Sequence, residues 1–142
     1  MSPASILKRY WGYDAFRPGQ AEIIDSILSG NDTLAILPTG GGKSICYQVP
    51  ALMKAGLFLV VSPLIALMRD QVDQLRKRGI TAYAIHAGMS RSEVINILTV
   101  ARDSNCKLLY VSPERLGSSF FQEYVQALNI TGIAVDEAHC IS

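Results

Sequence analysis

Leu34-Ala-Ile-Leu-Pro-Thr-Gly-Gly-Gly-Lys-Ser44 is the stretch on which the fold turns. A short apolar run passes through glycines to a lysine and a hydroxyl, and the residues that follow, through Tyr47 and beyond, read as a helix. Glycines at such a turn let backbone N–H groups converge on phosphate oxygens, and the helix N-terminus adds favourable partial charge. Pro38, Thr39, Gly40, Gly41 and Gly42 are the candidate cradle. Lys43 would bring a point charge to the β- and γ-phosphates, and the Ser44 hydroxyl would ligate Mg²⁺. The pattern G-x-x-x-x-G-K-[ST] is met except at its first position, which Leu37 occupies. Glycine-rich turns also precede helices for packing reasons, so this stretch needs a second one beside it.

Ile133-Ala-Val-Asp-Glu-Ala-His139 supplies that second stretch. Adjacent acids alone read as a solvated turn. At the tip of a buried strand, in a chain that already holds Gly-Gly-Gly-Lys-Ser, they read differently. Asp136 can hold Mg²⁺ through its water shell, and Glu137 can orient and deprotonate a water that attacks the γ-phosphate. Together the two stretches point to nucleotide hydrolysis.

The rest of the chain places both motifs at strand ends. Asp32–Leu37, Leu57–Val61, Ala82–Ile85, Lys107–Val111 and Ile133–Val135 are short, nearly continuous apolar runs, as expected of strands buried on both faces of a parallel sheet. Helical stripes lie between them. Ile23, Ile24, Ile27 and Leu28 form one. Leu64, Met68, Val72 and Leu75 form another, closed by Arg76-Lys77-Arg78 and Gly79; cations in a last turn and a glycine after it suit a helix end better than a nucleic-acid patch. Ser90 with Glu93 is a capping-box pattern ahead of Val94, Ile97, Leu98 and Ala101. Ser119 with Gln122 repeats it ahead of Phe121, Tyr124, Val125 and Leu128. The alternation implies an α/β domain with a mostly parallel sheet, which binds ligands at the carboxyl ends of its strands.

Composition bounds the function. A chain of 142 residues is the size of one ordinary domain, and 49% hydrophobic with 18% charged residues excludes a disordered tail or a coiled coil. The mean hydropathy of +0.24 is high for a soluble domain and suggests apolar surface that meets something outside this chain. With 13 basic against 12 acidic residues there is no global electrostatic footprint for nucleic acid, so any contact must be local. Cys46, Cys106 and Cys140 are widely spaced and without a CxxC pair, which fits a reducing compartment and apolar packing. The first residues lack the layout of a secretory signal. The greasiest stretch, Ala55–Met68, is too short and too broken by Pro63 to span a bilayer. The expected setting is cytoplasmic (at a bacterial nucleoid) or nuclear, without a membrane partner.

Asp-Glu-Ala-His is the Walker B form of superfamily-two helicases, which tolerate an apolar residue where Leu37 stands. Three further segments narrow the resemblance. Trp11-Gly-Tyr-Asp-Ala-Phe-Arg-Pro-Gly-Gln20 resembles the adenine-recognition motif of RecQ-family DNA helicases, Val61-Ser-Pro-Leu-Ile-Ala-Leu-Met-Arg-Asp-Gln71 resembles their motif Ia, and Asp136-Glu-Ala-His-Cys-Ile-Ser142 carries their Cys-Ile-Ser continuation. The resemblance runs from about Ile6 to the last residue. It implies a RecA-like P-loop NTPase fold that uses ATP and Mg²⁺, with an adenine-recognition segment at about 6–20. The expected activity is ATP-driven, 3′-to-5′ DNA unwinding in recombination and repair.

Residue by residue, the resemblance gives Tyr13 to stacking on adenine, and Arg17 and Gln20 to the base edge and the nearby nucleotide. A Gln amide offers one donor and one acceptor, which fits adenine N6 and N7 together. Phe16 reads as core. Ser62, Pro63, Leu64 and Arg69, with Ser112, Pro113 and Arg115, would meet the backbone of a single DNA strand without reading sequence. Ser-Pro after a strand is equally a good helix start. His86-Ala-Gly88 is a strand-end loop that lines the DNA path or merely turns. His139 reads as a coupling residue between nucleotide and DNA.

The resemblance further implies a chain truncated after the Walker B strand. The second RecA-like domain with its arginine finger, and the zinc-binding and winged-helix regions, lie outside residues 1–142. The isolated chain is therefore expected to be catalytically incompetent, with the missing domain as its partner. The alternatives are another superfamily-two motor such as an RNA helicase, or a non-catalytic nucleotide-binding module.

Overall fold

The computed structural model describes residues 1–35 and 42–136. The chain divides into two units, Met1–Ala55 and Gly56–Ser142. In the first, α1 spans Pro3–Trp11, α2 Gln20–Leu28 and α3 Ile45–Met53. Ser2 caps α1 through Ser5, Pro3 opens its first turn, and Gly12 closes it at φ +77°. This helix was not among those expected, although Ser2-Pro3 ahead of Ile6, Leu7 and Tyr10 carries its signal. Ile6 and Leu7 pack with Ile24 of α2 and with Ile45 and Val49 of α3, and Phe16 lies against that cluster as a core residue.

The strand expected at Asp32–Leu37 is not found over its described part. Residues 32–35 carry no strand, and Leu34 is 87% exposed. Thr33 makes local bonds instead: its hydroxyl lies 2.8 Å from Ser26 Oγ and donates to the Asn31 carbonyl at 3.1 Å. Such short-range bonds compete with a ladder.

The second unit runs β1 (Leu57–Val61), α4 (Ile65–Lys77), β2 (Ala82–Ile85), α5 (Arg91–Asp103), β3 (Leu108–Val111), α6 (Pro113–Leu116), α7 (Ser119–Val125) and β4 (Ile130–Val135). The strands form one parallel sheet in the order β2-β3-β1-β4. Leu57, Leu59 and Val61 of β1, with Leu109, Val111 and Ile85, face Val94, Leu98 and Ala101 of α5 and Phe121 of α7. The alternate residues Phe58, Val60, Leu108 and Tyr110 are buried too, and α4 packs on β2 and β3 with Met68, Val72 and Leu75 inward. Two covered faces explain why β1 and β3 read as unbroken apolar runs.

Local chemistry sets the ends. Arg76 donates from Nε to the Ala82 carbonyl at 2.9 Å and lies over the Tyr83 ring, so the basic cluster serves the end of α4. Ser118, not Ser119, caps α7 and accepts from the Phe121 N–H at 3.1 Å. The expected register was off by one because adjacent serines offer the same hydroxyl. Ser90 caps α5 as expected: its hydroxyl accepts from the Glu93 N–H, and Glu93 Oε1 accepts from the Ser90 N–H. Cys46 and Cys106 are buried, and loss of solvation pushes both thiols up to about 11, which keeps them protonated and inert. Among the described residues no helix is long and apolar enough to cross a membrane.

The capping box predicts a pH dependence. Bonding to Ser90 holds the Glu93 carboxyl below its ordinary value, chiefly through the Ser90 backbone N–H. A lowered folded pKa contributes stability that is present above the unfolded pKa and lost as pH falls through the folded one. Glu93→Gln keeps an acceptor but cannot titrate. From about pH 6 down to about pH 3 the wild-type Tm should therefore fall more steeply than that of Glu93→Gln. Parallel melting curves in thermal denaturation would remove the box as a titrating element.

Gly132 is required by packing. The β1–β4 register skips Thr131, leaving Gly132 opposite Phe58. A Cβ at Gly132 would stand 2.4 Å from the buried Phe58 ring. Gly132→Ala should cost roughly 1–3 kcal/mol through overpacking. Phe58→Leu in the same chain should return part of that loss, as read by urea denaturation of the four-member cycle. Strict additivity would show that the ring is not the obstacle.

Candidate active site

In the first unit the site is built around Gln20, the buried first residue of α2. Its Oε1 accepts from the Arg17 N–H at 2.8 Å, and its Nε2 donates to the Gly42 carbonyl at 3.0 Å. One side chain thus joins the turn after Phe16 to the last residue of the glycine run. Gly42 has φ +74°, and a Cβ there would lie 2.6 Å from Gln20 Nε2. The positive φ favours glycine at 42, and a Cβ would also displace the Gln20 amide. Lys43 and Ser44 then lead into α3, whose first turn carries no acidic side chain. Ser44 makes no side-chain cap bond. Tyr13 is 50% exposed, beyond the C-cap of α1, and Arg17 is exposed as well. Asp14 next to it pairs with Lys8 at 2.7 Å, and that ammonium holds its carboxyl low. Pro38, Thr39, Gly40 and Gly41 lie outside the described residues.

In the second unit the parallel ladder continues one residue past β1, β3 and β4. The Ser62 N–H donates to Val111 O at 3.1 Å, Ser112 N–H to Ile85 O at 3.0 Å, and Asp136 N–H to Val61 O at 2.9 Å. By register, His86, Ser112, Ser62 and Asp136 therefore form a row across β2, β3, β1 and β4. With strands spaced about 4.8 Å apart, the row is roughly 14 Å long. It is polar where the sheet behind it is apolar. Asp136 is buried at one end. His86 at the other accepts from the Gly88 N–H through Nδ1 at 3.3 Å. Glu137 and His139 lie outside the described residues.

The residues expected at DNA fall into two groups. Leu64 and Arg69 are exposed at and beyond the start of α4, with Pro63 half-buried beside them. Ser62 and Ser112 are buried, and their N–H groups belong to the ladder. Ser62 Oγ accepts from the Leu64 N–H at 3.4 Å, whereas Ser112 Oγ has no hydrogen-bond partner among the described residues. Ser112 and Pro113 open α6, so the helix-start reading of Ser-Pro describes what they do in this structure. Arg115 is half-buried with its guanidinium already engaged: Nε donates to His86 O at 3.1 Å, and Nη2 to Ala87 O at 3.3 Å and to Met89 O. In this structure Ser62 and Ser112 are buried, and Nε and Nη2 of Arg115 donate to loop carbonyls. The Arg115 contacts had no sequence signal, since they join residues 26 to 29 positions apart.

Comparison with known proteins places the chain. It is 49% identical over 137 residues to the ATP-dependent DNA helicase RecQ of Synechocystis sp., covering 95% of this chain and 29% of that protein. It is 48% identical over 139 residues to the ATP-dependent DNA helicase RecQ of Bacillus subtilis, covering 97% and 24%. The chain thus spans about a quarter of the length of these relatives. Among solved structures, the DUF1998 helicase MrfA bound to DNA and AMPPNP superposes with a TM-score of 0.79 at 21% identity, over 99% of this chain and 21% of that one. This likeness supports the expected RecA-like fold. Residues 17–142 match the DEAD/DEAH box helicase family, and the chain belongs to it.

Proposed function

We propose that this chain is the ATP-binding portion of a RecQ-like, 3′-to-5′ DNA helicase. The observation that carries the reading is the identity of nearly half the residues with DNA helicases named RecQ, sustained along almost the whole chain. The local structure supports it through a glycine-run end held by Gln20 and a row of polar strand-end residues that ends in Asp136.

In this reading Tyr13 stacks on adenine, and Arg17 and Gln20 read its edge. Gln20 would exchange its present partners for the base, which makes it a reporter of nucleotide arrival at Gly42. Lys43 and the N–H groups at the start of α3 meet the phosphates. Ser44 and Asp136 are the residues that would hold Mg²⁺, a hard cation suited to oxygen donors; it supplies neutralising charge at the phosphate oxygens when bound. The Ser44 hydroxyl fits that role because no helix cap uses it. Glu137 positions and deprotonates the attacking water, and His139 couples the nucleotide to DNA. Leu64, Pro63 and Arg69 offer the exposed surface at the DNA path. The second RecA-like domain would complete the enzyme, which would work at a bacterial nucleoid or in a nucleus.

An RNA-directed motor is the competing reading. The test is ATP turnover by a complete protein carrying this chain, with single-stranded DNA or RNA of matched length. DNA should stimulate hydrolysis preferentially. Preferential stimulation by RNA would overturn the RecQ-like reading.

A further inference from the structure

The loop from His86 to Met89 joins β2 to α5 at one end of the strand-end row, and side chains from outside the loop define its shape. Arg115, on α6, donates from two different nitrogens to three of its carbonyls, those of His86, Ala87 and Met89. Carbonyl dipoles that converge in this way repel one another unless a cation lies between them, and a guanidinium has the fork geometry to bond several at once. The loop's exit is held as well. Arg91, the first residue of α5, lies over the Phe120 ring at 4.9 Å, and Arg115 Cζ lies 6.0 Å from the same ring. Inside the loop, His86 Nδ1 takes the Gly88 N–H. Arg115 also follows Ser112 by one turn of α6, its own N–H donating to the Ser112 carbonyl at 3.1 Å. One side chain therefore ties the ends of β3 and β2 together.

We propose that Arg115 is a positioning residue: it fixes the His86–Met89 loop in the shape presented at the strand ends, and does not itself bind nucleic-acid phosphate. The inference rests on the DNA-helicase reading only for what meets the loop. A nucleic-acid strand on this side would encounter the loop and not the Nε and Nη2 donors of Arg115, which point at the carbonyls. Arg115 is thereby specific as arginine. The single nitrogen of a lysine cannot stand at both the Nε and the Nη2 positions.

Hydrogen exchange by mass spectrometry on the 142-residue chain without nucleic acid tests this directly. In Arg115→Ala and Arg115→Lys alike, amides of residues 86–91 should exchange roughly tenfold faster or more, while β1 and β3 keep their protection. Unchanged exchange in that segment, or full protection in Arg115→Lys, would overturn the proposal. Should Arg115→Ala lose protection throughout, Arg115→Lys, which keeps charge and most of the length, decides. A second arm measures fluorescent oligothymidylate binding across a salt series. A positioning role predicts weaker binding by both variants with the wild-type slope of log K on log salt. A slope lowered by about 0.7 in Arg115→Ala alone would mark a direct phosphate contact and refute the assignment. Absence of wild-type binding would count against the DNA reading, and the exchange result would still decide the role of Arg115.

Discussion

In a complete helicase carrying this chain, Lys43→Ala should weaken ATP binding and lower turnover together, with turnover falling on the order of 10²–10³-fold. Lys43 stands at the start of α3, directly after the residue that Gln20 holds. In the proposed reading its charge meets phosphate oxygens before and during transfer, so both the ground state and the transition state would lose it. Glu137→Gln should behave differently. In the proposed reading its carboxylate acts only on the attacking water, so nucleotide affinity should stay near wild type while turnover falls roughly 10²–10⁴-fold. Calorimetric titration with a non-hydrolysable ATP analogue, set beside steady-state turnover, separates the two. Equal loss of affinity in both variants would refute this division of roles.

The 142-residue chain on its own should neither unwind DNA nor turn over ATP at a useful rate. Charge that develops on the transferring phosphoryl is commonly met by an arginine finger worth about 10³–10⁵ in rate. Among the arginines at the strand ends, Arg115 is committed to the His86–Met89 loop, and Arg69 projects from α4 in the exposed segment that starts at Leu64. In the RecQ-like reading the finger comes from the second RecA-like domain. Unwinding also requires two domains that close on ATP and open after hydrolysis. The assay pairs ATP turnover with strand separation of a 3′-tailed duplex. Multiple-turnover hydrolysis stimulated by single-stranded DNA would show that residues 1–142 carry a complete catalytic centre.

Much of this was legible in the residues, and what was missed has identifiable causes. Runs such as Leu57–Val61 and Leu108–Val111 declare themselves because both faces are covered, which leaves no polar position to blur the period. The stripe Met68, Val72 and Leu75 and the Ser90–Glu93 box are local, and local patterns survive folding. Asp32–Leu37 shows the limit. An apolar run has strand propensity, but a ladder needs a neighbour, and over residues 32–35 the Thr33 hydroxyl bonds within its own turn. β4 begins at Ile130, three residues before its expected start, because Thr131 is passed over in the register and Gly132 yields to the Phe58 ring. Neither event is written in β4 alone.

The candidate site divides in the same way. The residues proposed to face phosphate come from a contiguous motif, so Gly42, Lys43 and Ser44 could be named in order. The internal bonds of Gln20 with Gly42 and of Arg115 with three loop carbonyls join distant positions, and no spacing rule reports them. Polar residues at strand tips were singled out from the sequence, and the register places Ser62, Ser112 and Asp136 there. Which of them turn inward depends on the ladder, and burial then separates Ser62 and Ser112 from exposed Arg69.

Among the described residues each unit carries one buried thiol: Cys46 in Met1–Ala55 and Cys106 in Gly56–Ser142. A protonated, buried thiol reacts with an alkylating reagent only when its surroundings open, so the labelling rate reads the opening free energy at that place. With Cys140→Ser to silence the remaining cysteine, the protein becomes a pair of chemical clocks. Run with and without nucleotide, they would report which unit tightens first as ligand arrives, without a foreign probe on either.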